Sequence, residues 1–350
     1  MEAAVFKDFD EFADALTGVD GRYIPTARSQ CEWSIAREEI RQLTLQRVII
    51  GAPATFAGDG QSCGLTSWIP ITDARSVRID GIEMAENGFV VVRSDRPLTY
   101  SAPQPTYWFG ITVPWSLFSD PRFEEAADIG LNKLYRARAS SKPQSLRVLG
   151  SLIGAFCGEI RLLSNHAAAS AEEQLLLASA QVLRDSVRQE SDHRVGRAPI
   201  GRDRIIAQCL EFFRESRGQP ILVSDLCRHA NVAERTLRTV FHEYFGVGPA
   251  RFLKARQLHE LRHAFLRAQK HETVSSIGAR FGVWDFSLLA RSYRAMYGEG
   301  PSQTLRESRV RPFKIPSPCE NVEQIRSWMQ YASLRFERGL SATDNARIGG

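Results

Sequence analysis

The sequence predicts an α+β protein, with a β-rich N-terminal part that also carries helices and an all-helical C-terminal domain. Two observations lead to this prediction. Residues 22–113 alternate short runs of β-branched and aromatic residues with Gly, Pro, Asn and Asp, a texture typical of antiparallel strands. Residues 223–298 repeat one pattern twice: a short helix, a tight turn, and a longer helix with apolar residues at helical spacing.

The β-rich part is predicted to follow a short N-terminal helix at residues 5–16. The runs predicted as strands are residues 31–36, 40–50, 65–71, 76–82, 88–92 and 107–113. Short strands at this spacing favour a sheet that closes on itself as a sandwich or a barrel.

Helical periodicity returns after the last of these strands. Helices are predicted at residues 123–138, 143–163 and 171–189, with residues 164–170 as the connection of an antiparallel helical pair. The apolar stripe of this pair either packs on the sheet or forms a dimer contact, and the sequence favours neither. Residues 191–201 are polar and punctuated by Pro and Gly, which is typical of an interdomain linker.

The two helix-turn-helix units have suitable turn residues. Asn231 in the first turn and Gly282 in the second tolerate the left-handed backbone region. Asp285 is expected to cap the second long helix, whereas the matching Ala233 is a poor cap. The residues predicted to face the core are Leu237, Val240, Phe241 and Tyr244 in the first unit and Leu289, Tyr293 and Met296 in the second.

The opposite faces of the two longer helices are predicted to be polar and basic. They carry Arg235, Arg238, Thr239 and His242 in the first unit, and Ser287, Arg291 and Arg294 in the second. Such side chains can pair with base edges and phosphates in the major groove. One basic helix face is as often merely solvated, but two matched copies favour contact with DNA.

Charge distribution supports the same prediction. The chain of 350 residues has a net charge of +5, and residues 201–309 hold 18 basic and 11 acidic side chains, a local charge of +7. The remainder is close to neutral at −2. A basic excess confined to one region is typical of a domain that binds nucleic acid.

A long helix is predicted to join the two units, beginning at Pro249, which suits a first helical position. Its predicted buried stripe is Ala250, Leu253, Leu258, Leu261, Phe265 and Ala268. About 19 helical residues span roughly 28 Å, which is close to the ~34 Å of one turn of B-DNA. The two recognition helices can therefore enter successive major grooves.

The region 204–305 resembles the C-terminal domain of the AraC/XylS family of bacterial transcription regulators. The resemblance rests on Leu226, Ala230, Arg235-Thr236-Leu237, Phe241, Phe245-Gly246-Val247-Gly248-Pro249, Phe281-Gly282, Tyr293-Arg294, Tyr297-Gly298 and Gly300-Pro301-Ser302. It implies that Arg235, Arg238 and Thr239 read bases in the first unit, and Ser287 and Arg291 in the second. The chain departs from the more polar family pattern at Trp284, Phe286, Leu288 and Ala290.

The resemblance also implies a cupin-like sensor barrel in the N-terminal part. Of the aromatic residues there, Trp33, Trp68, Tyr107 and Trp108 are predicted to line an effector pocket, although a core role is the commoner one for each. No metal is expected in the barrel, because the first histidine is His166 and the six cysteines are scattered. No cofactor is expected.

The expected partners are double-stranded DNA, an unidentified small-molecule effector, RNA polymerase and a second copy of the chain, with no membrane. The first residues do not resemble a signal peptide and no long apolar run is present, so the expected location is the cytoplasm. A regulator that binds DNA without a ligand is the alternative. An enzyme is less favoured, because the sequence lacks a nucleophile elbow and a P-loop.

The predicted domain organisation has four parts. These are an N-terminal sensor and dimerisation domain at 1–190, a linker at 191–201, a DNA-binding domain at 202–308, and a tail at 309–350 with a possible helix at 321–338.

Overall fold

The computed structural model describes residues 3–6, 9–60, 64–71, 76–92, 97–123, 138–159, 164–190, 200–216 and 219–310. Residues 1–312 form one compact unit. Residues 191–199 of the predicted linker, the predicted tail helix and nearly all of the predicted helix 123–138 lie outside the described residues. Within the described part, no helix is both long and apolar enough to span a bilayer.

The N-terminal part contains two antiparallel sheets, which confirms the predicted fold class. The larger sheet has strands β1 (Ala4–Phe6), β3 (Trp33–Ile40), β4 (Leu43–Ile50), β6 (Gly64–Pro70), β9 (Gly88–Val92), β11 (Thr106–Pro114) and β12 (Arg138–Ser140). The smaller sheet has β2 (Val19–Pro25), β5 (Ala54–Gly60), β7 (Arg78–Ile79), β8 (Ile82–Glu83) and β10 (Pro97–Ala102). Their orders are β1-β3-β4-β11-β6-β9-β12 and β2-β5-β10-β7-β8.

An aromatic core fills the space between the two sheets. Alternate residues of the strands point into it, so Trp108 of β11 joins Tyr100 of β10 there. Helix α1 (Phe9–Ala15) contributes Phe9 and Phe12, whose rings lie 4.8 and 4.9 Å from that of Trp33. Burial of these large rings, together with the aliphatic residues around them, removes the apolar surface from water and stabilises this sandwich.

A second core lies on the other face of the larger sheet. Helices α2 (Pro143–Glu159) and α3 (Asn165–Glu190) cover this face, with Leu149, Ile153 and Leu175 fully buried. The helical pair therefore packs on the sheet, one of the two roles that the sequence left open. A dimer contact through these helices stays a prediction.

Several sequence predictions for the N-terminal part need correction. The segment 5–16 begins as strand β1, and its helix starts only at Phe9. The predicted strand 40–50 is interrupted after Ile40, where Arg41 adopts a positive φ of 53° and the chain turns into β4. The predicted connection 164–170 is helical from Asn165 onward, because its alanines and serines tolerate a helix. Strands β2, β5 and β10 were not predicted.

The C-terminal domain is all-helical, as predicted. Its helices are α4 (Ile200–Glu215), α5 (Val223–His229), α6 (Glu234–Phe245), α7 (Pro249–Leu266), α8 (Val274–Arg280), α9 (Phe286–Tyr297) and α10 (Pro301–Val310). Helix α4 begins at Ile200, within the last two residues of the predicted linker 191–201. Each helix-turn-helix unit has its own apolar core, and α7 contributes to both.

The turn chemistry predicted from sequence is confirmed. Asn231 has a φ of 51° and Gly282 a φ of 70°, both in the left-handed region. The Asp285 carboxylate accepts a hydrogen bond from the Leu288 backbone N–H at 2.8 Å and caps α9. Ala233 provides no side-chain cap for α6, as expected of a poor capping residue.

Candidate nucleic-acid interface

Helix α6 is the recognition helix of the first unit, and it separates apolar and polar faces as predicted. Leu237, Val240, Phe241 and Tyr244 are buried. The predicted contact residues Arg235, Arg238, Thr239 and His242 are all exposed on the other side.

Two of these exposed side chains already make contacts within the helix. The Arg238 guanidinium forms an ion pair with the Glu234 carboxylate at 2.9 Å, and both side chains are more than 60% exposed. The Thr239 hydroxyl donates to the Arg235 carbonyl oxygen at 3.1 Å. An exposed pair of this kind contributes only about 0.3–0.5 kcal/mol to the stability of the helix. Arg238 can therefore exchange Glu234 for a guanine edge with little loss of free energy.

Packing behind α6 holds it in place. The Tyr244 hydroxyl donates a hydrogen bond to the Asp203 carboxylate of α4. Burial, and then this hydrogen bond, raise the pKa of Tyr244 far above its ordinary value, so the phenol remains a neutral donor. The Arg202 side chain of α4 also pairs with Glu243 at 2.5 Å.

Helix α9 is the recognition helix of the second unit. Leu289 and Tyr293 are buried as predicted, while Met296 is only partly buried against the same core. Ser287, Arg291 and Arg294 are exposed. Arg294 lies in the last turn of α9, far along the helix from Ser287. This position favours a phosphate contact, since the N-terminal residues of a recognition helix are the ones that usually reach base edges.

The four apolar departures from the family pattern fall into two groups. Phe286 and Ala290 are half-buried, and the Phe286 ring lies so close to Gly278 that a Cβ there would come within 2.7 Å of it. These two residues belong to the packing of the second unit. In contrast, Trp284 is 83% exposed and Leu288 is 47% exposed.

A polar cluster fixes the end of α9. The Arg262 guanidinium of α7 pairs with the Glu299 carboxylate at 2.5 Å, and its side chain is only 14% exposed. Glu299 also accepts from the Thr304 hydroxyl at 2.7 Å, and Thr304 lies 3.0 Å from the Tyr293 hydroxyl. The cluster ties α7, α9 and α10 together. Its carboxylate, Glu299, lies in the corner Tyr297-Gly298-Glu299-Gly300-Pro301. The sequence motif marks this corner but does not show the ion pair with Arg262.

The helix that joins the units has 18 residues, and it therefore spans about 27 Å. Leu258, Leu261 and Phe265 are buried as predicted. Ala250 is exposed, contrary to prediction, because the first turn of α7 buries Pro249 and Phe252 instead. Leu253 is only partly buried, and Ala268 lies beyond the end of the helix.

The β-rich part contacts the C-terminal end of both recognition helices. The Arg78 guanidinium of β7 donates to the backbone carbonyls of His242 and Glu243 at 3.1 and 3.4 Å, in the last turn of α6. At the end of α9, the Tyr297 ring stacks on the Phe9 ring of α1 at 6.2 Å. His242, one of the predicted DNA contacts, thus lies at the end of α6 that faces the β-rich part.

The space between the two sheets offers little room for a ligand. Its cavity measures about 50 Å³ and is lined by apolar and aromatic side chains, including Trp68 and Trp108. Trp33 packs in the aromatic core instead, and the Tyr107 hydroxyl meets the Cys31 thiol at 3.7 Å on the opposite face of β11. The structure therefore brings together two of the four residues predicted to bind an effector.

A larger cleft lies between the smaller sheet and the helices α4 and α7. It measures about 650 Å³. Its walls combine apolar rings such as Phe213 and Phe252 with the charged side chains of Arg22, Arg214 and Glu260. Sequence periodicity could not reveal it, because it arises where two domains meet. In the described ranges, no group of three or more potential ligands could hold a metal ion.

The geometry defines a double helix-turn-helix domain, and comparison with known proteins agrees. A family model described as "Helix-turn-helix domain" matches residues 226–307. The "Probable thc operon regulatory protein" of Rhodococcus erythropolis is 29% identical over 103 residues, which cover 29% of this chain and 31% of that protein. The "XylDLEGF operon transcriptional activator 3" of Pseudomonas putida is 25% identical over 103 residues, with the same coverage.

The chain thus matches about a third of the length of these curated relatives. Among solved structures, a probable AraC family transcriptional regulator from Rhodopseudomonas palustris is 25% identical, with a TM-score of 0.28 over 30% of this chain and 96% of that chain. The C-terminal domain of this protein is a helix-turn-helix domain of the AraC type, which confirms the resemblance seen in the sequence.

Proposed function

We propose that this chain is a transcription regulator that binds specific double-stranded DNA, with α6 and α9 in successive major grooves. The observation that carries the proposal is the pair of exposed faces, Arg235/Arg238/Thr239 and Ser287/Arg291, on two helices joined by the 18-residue helix α7. That length brings the helices to about the spacing of one turn of duplex.

Electrostatics supports the same function. The basic excess of the chain is confined to residues 201–309, and cations that neutralise phosphates release counterions and drive binding. The relatives named above are described as an operon regulatory protein and an operon transcriptional activator. RNA polymerase is accordingly a proposed partner of this chain.

The proposal includes control by a small-molecule effector, bound in the cleft between the N-terminal part and the helical domain. A cavity of about 50 Å³ between the sheets has room for only a few water molecules. The 650 Å³ cleft falls within the range of about 300–1,000 Å³ usual for small-molecule sites. A ligand in this cleft would touch β2 and β5 on one side and α4 and α7 on the other, so it could bias both domains together.

A homodimer is also part of the proposal. Val148 of α2 and Leu177 of α3 are 45% and 49% exposed, while neighbouring residues of the same helices pack on the sheet. Exposed apolar residues on the outer side of this helical pair support a contact between two copies.

Fluorescence anisotropy with the full chain tests DNA binding. We expect tighter binding to duplexes from the region upstream of its own gene than to scrambled duplexes of equal composition. The affinity for both should fall steeply between 50 and 200 mM salt, since phosphate contacts release counterions. Equal affinity for both duplexes at every salt concentration would contradict the proposal.

Native mass spectrometry of the full chain separates a ligand-controlled regulator from one without an effector. Protein purified from its own host should carry a bound small molecule, and Phe252→Trp should reduce its occupancy by narrowing the cleft. Phe89→Trp, at a fully buried position in the other core, serves as the control for general loss of packing. A chain that never retains a ligand would favour the alternative regulator without an effector.

A further inference from the structure

The start of the second recognition helix carries an apolar surface that the fold does not use. Of the exposed large apolar residues in the described part of the chain, Trp284 has the highest exposure at 83%. Leu288, four residues further on, is 47% exposed. An indole left in water costs free energy roughly in proportion to its apolar area, so this surface is unfavourable in the unbound chain.

Packing within the second unit does not account for the exposed indole of Trp284. Trp284 directly precedes the N-cap Asp285, a position from which an apolar side chain often packs against the fourth helical residue. That residue is Leu289, which is already buried in the core of the second unit. At 83% exposure, the Trp284 side chain does not make this contact.

Both residues lie at the N-terminal end of α9, Trp284 just before the helix and Leu288 in its first turn, where the proposed function places the groove. They flank Ser287 at the helix N-terminus, the end from which recognition helices usually contact base edges. Arg291 and Arg294 follow on the exposed side of the same helix. A polyanion therefore suits the basic part of this surface, and its apolar part must meet an apolar group of the same partner.

The major groove offers one such group, the C5-methyl of thymine. We propose that Trp284 and Leu288 read thymine methyl groups in the half-site bound by α9; this inference rests on the proposed function. The second unit then discriminates bases by apolar contact, where the first unit uses hydrogen bonds from Arg235, Arg238 and Thr239.

Replacing thymine by uracil tests this directly, because uracil differs from thymine only by the missing methyl group. A site is first selected from random duplexes with the full chain, and thymines of each half are then replaced separately. We expect each contacted methyl to contribute about fourfold in Kd. Uracil in the half-site of α9 should therefore weaken binding by about fourfold for each contact.

The double variant W284A/L288A provides the second arm of a thermodynamic cycle. It should bind more weakly than the parent chain and should bind thymine and uracil duplexes equally. Because both side chains are exposed, its thermal unfolding should match that of the parent. Leu222→Ala is the matched control: Leu222 is 64% exposed but lies at the start of α5, so this variant should keep the full sensitivity to uracil.

Three outcomes would overturn the inference. The first is that the selected half-site of α9 contains no thymine, and the second is that the parent chain binds thymine and uracil duplexes equally. The third is that W284A/L288A keeps the parent's affinity and uracil sensitivity while transcription falls, which would assign the surface to a protein partner. A chain that prefers no duplex over random DNA contradicts the proposed function itself, so the two failures are distinguishable.

Discussion

At the scale of single residues, the role proposed for Arg238 in DNA recognition requires its side chain to leave an existing partner. Its guanidinium pairs with Glu234 in the unbound chain, and this pair orients it on the exposed side of α6. Arg forms bidentate hydrogen bonds with guanine, whereas Glu234 would repel the phosphates around it. Under the proposed function, the ion pair would position Arg238 for a base edge, and Glu234 would disfavour binding to duplexes that offer Arg238 no guanine.

We expect Arg238→Ala to lower specific binding by about 1–3 kcal/mol and to relax the preference at one base position. The measurement is a selection from random duplexes with both the parent and the variant. Arg294→Ala is the matched control, since a phosphate contact in the last turn of α9 should weaken all sequences about equally. An unchanged base preference for Arg238→Ala would contradict its role as a base reader.

At the scale of elements, the second unit depends on the polar cluster at the end of α9. The Glu299 carboxylate pairs with Arg262 of α7 and accepts from Thr304 of α10, and Thr304 in turn contacts the Tyr293 hydroxyl of α9, so the cluster joins three helices. Removing one partner of a largely buried ion pair leaves the other charge desolvated. The corner that supports the family resemblance therefore also holds α7, α9 and α10 together.

Glu299→Ala should lower the free energy of unfolding of the helical domain by about 3 kcal/mol. Urea unfolding followed by the circular dichroism of the helices measures this. Glu307→Ala, which removes an exposed carboxylate on the neighbouring helix α10, should change it by less than about 0.5 kcal/mol. If both substitutions lower the free energy of unfolding equally, Glu299 does not hold the three helices together.

The sequence predicts elements best where local chemistry decides the structure. Asn231, Gly282 and Asp285 were placed correctly, because a left-handed turn and an N-cap each favour few residue types. Strand β5, Ala54-Thr55-Phe56-Ala57-Gly58-Asp59-Gly60, was missed because its glycines and alanines lack β propensity, and pairing with β2 and β10 holds it. Tertiary pairing of this kind leaves no local pattern.

The candidate site residues divide in the same way, into those that local periodicity predicts and those that depend on tertiary packing. The exposed faces of α6 and α9 follow from helical periodicity, and the structure exposes every one of the seven predicted DNA contacts. Trp33 and Tyr107 do not line the cavity between the sheets. Tyr107 lies on the opposite face of its strand, which its residue type does not reveal, and Trp33 packs against Phe12 in the aromatic core without reaching the cavity. The exposure of Trp284 was likewise visible only in three dimensions.

At the scale of the whole molecule, the β-rich part holds the first recognition helix by its end. Arg78 donates to the His242 and Glu243 carbonyls in the last turn of α6, where the His242 carbonyl also accepts from the C-cap Gly246 N–H at 3.1 Å. The neighbouring Ile79 lines the cavity between the sheets. Strand β7 therefore connects the interior of the β-rich part to the end of helix α6.

Arg78→Ala should speed amide hydrogen exchange in the last turn of α6 by about tenfold, because it removes charge-assisted hydrogen bonds of about 1.5 kcal/mol. Hydrogen-exchange mass spectrometry of the full chain measures this. Arg22→Ala, which removes an exposed guanidinium elsewhere in the β-rich part, should leave that turn unchanged. If the amides in the last turn of α6 exchange at the same rate in both variants, Arg78 does not restrain that helix.

The most direct test of the account is a base-substitution scan across the selected binding site, measured with the full chain. Two recognition helices joined by an 18-residue helix predict two sensitive segments about one helical turn apart. Large losses are expected in the segment read by Arg235, Arg238 and Thr239, and smaller losses, largest at thymines, in the segment read by α9. A single sensitive segment, or two segments with equal losses and no preference for thymine, would contradict the account.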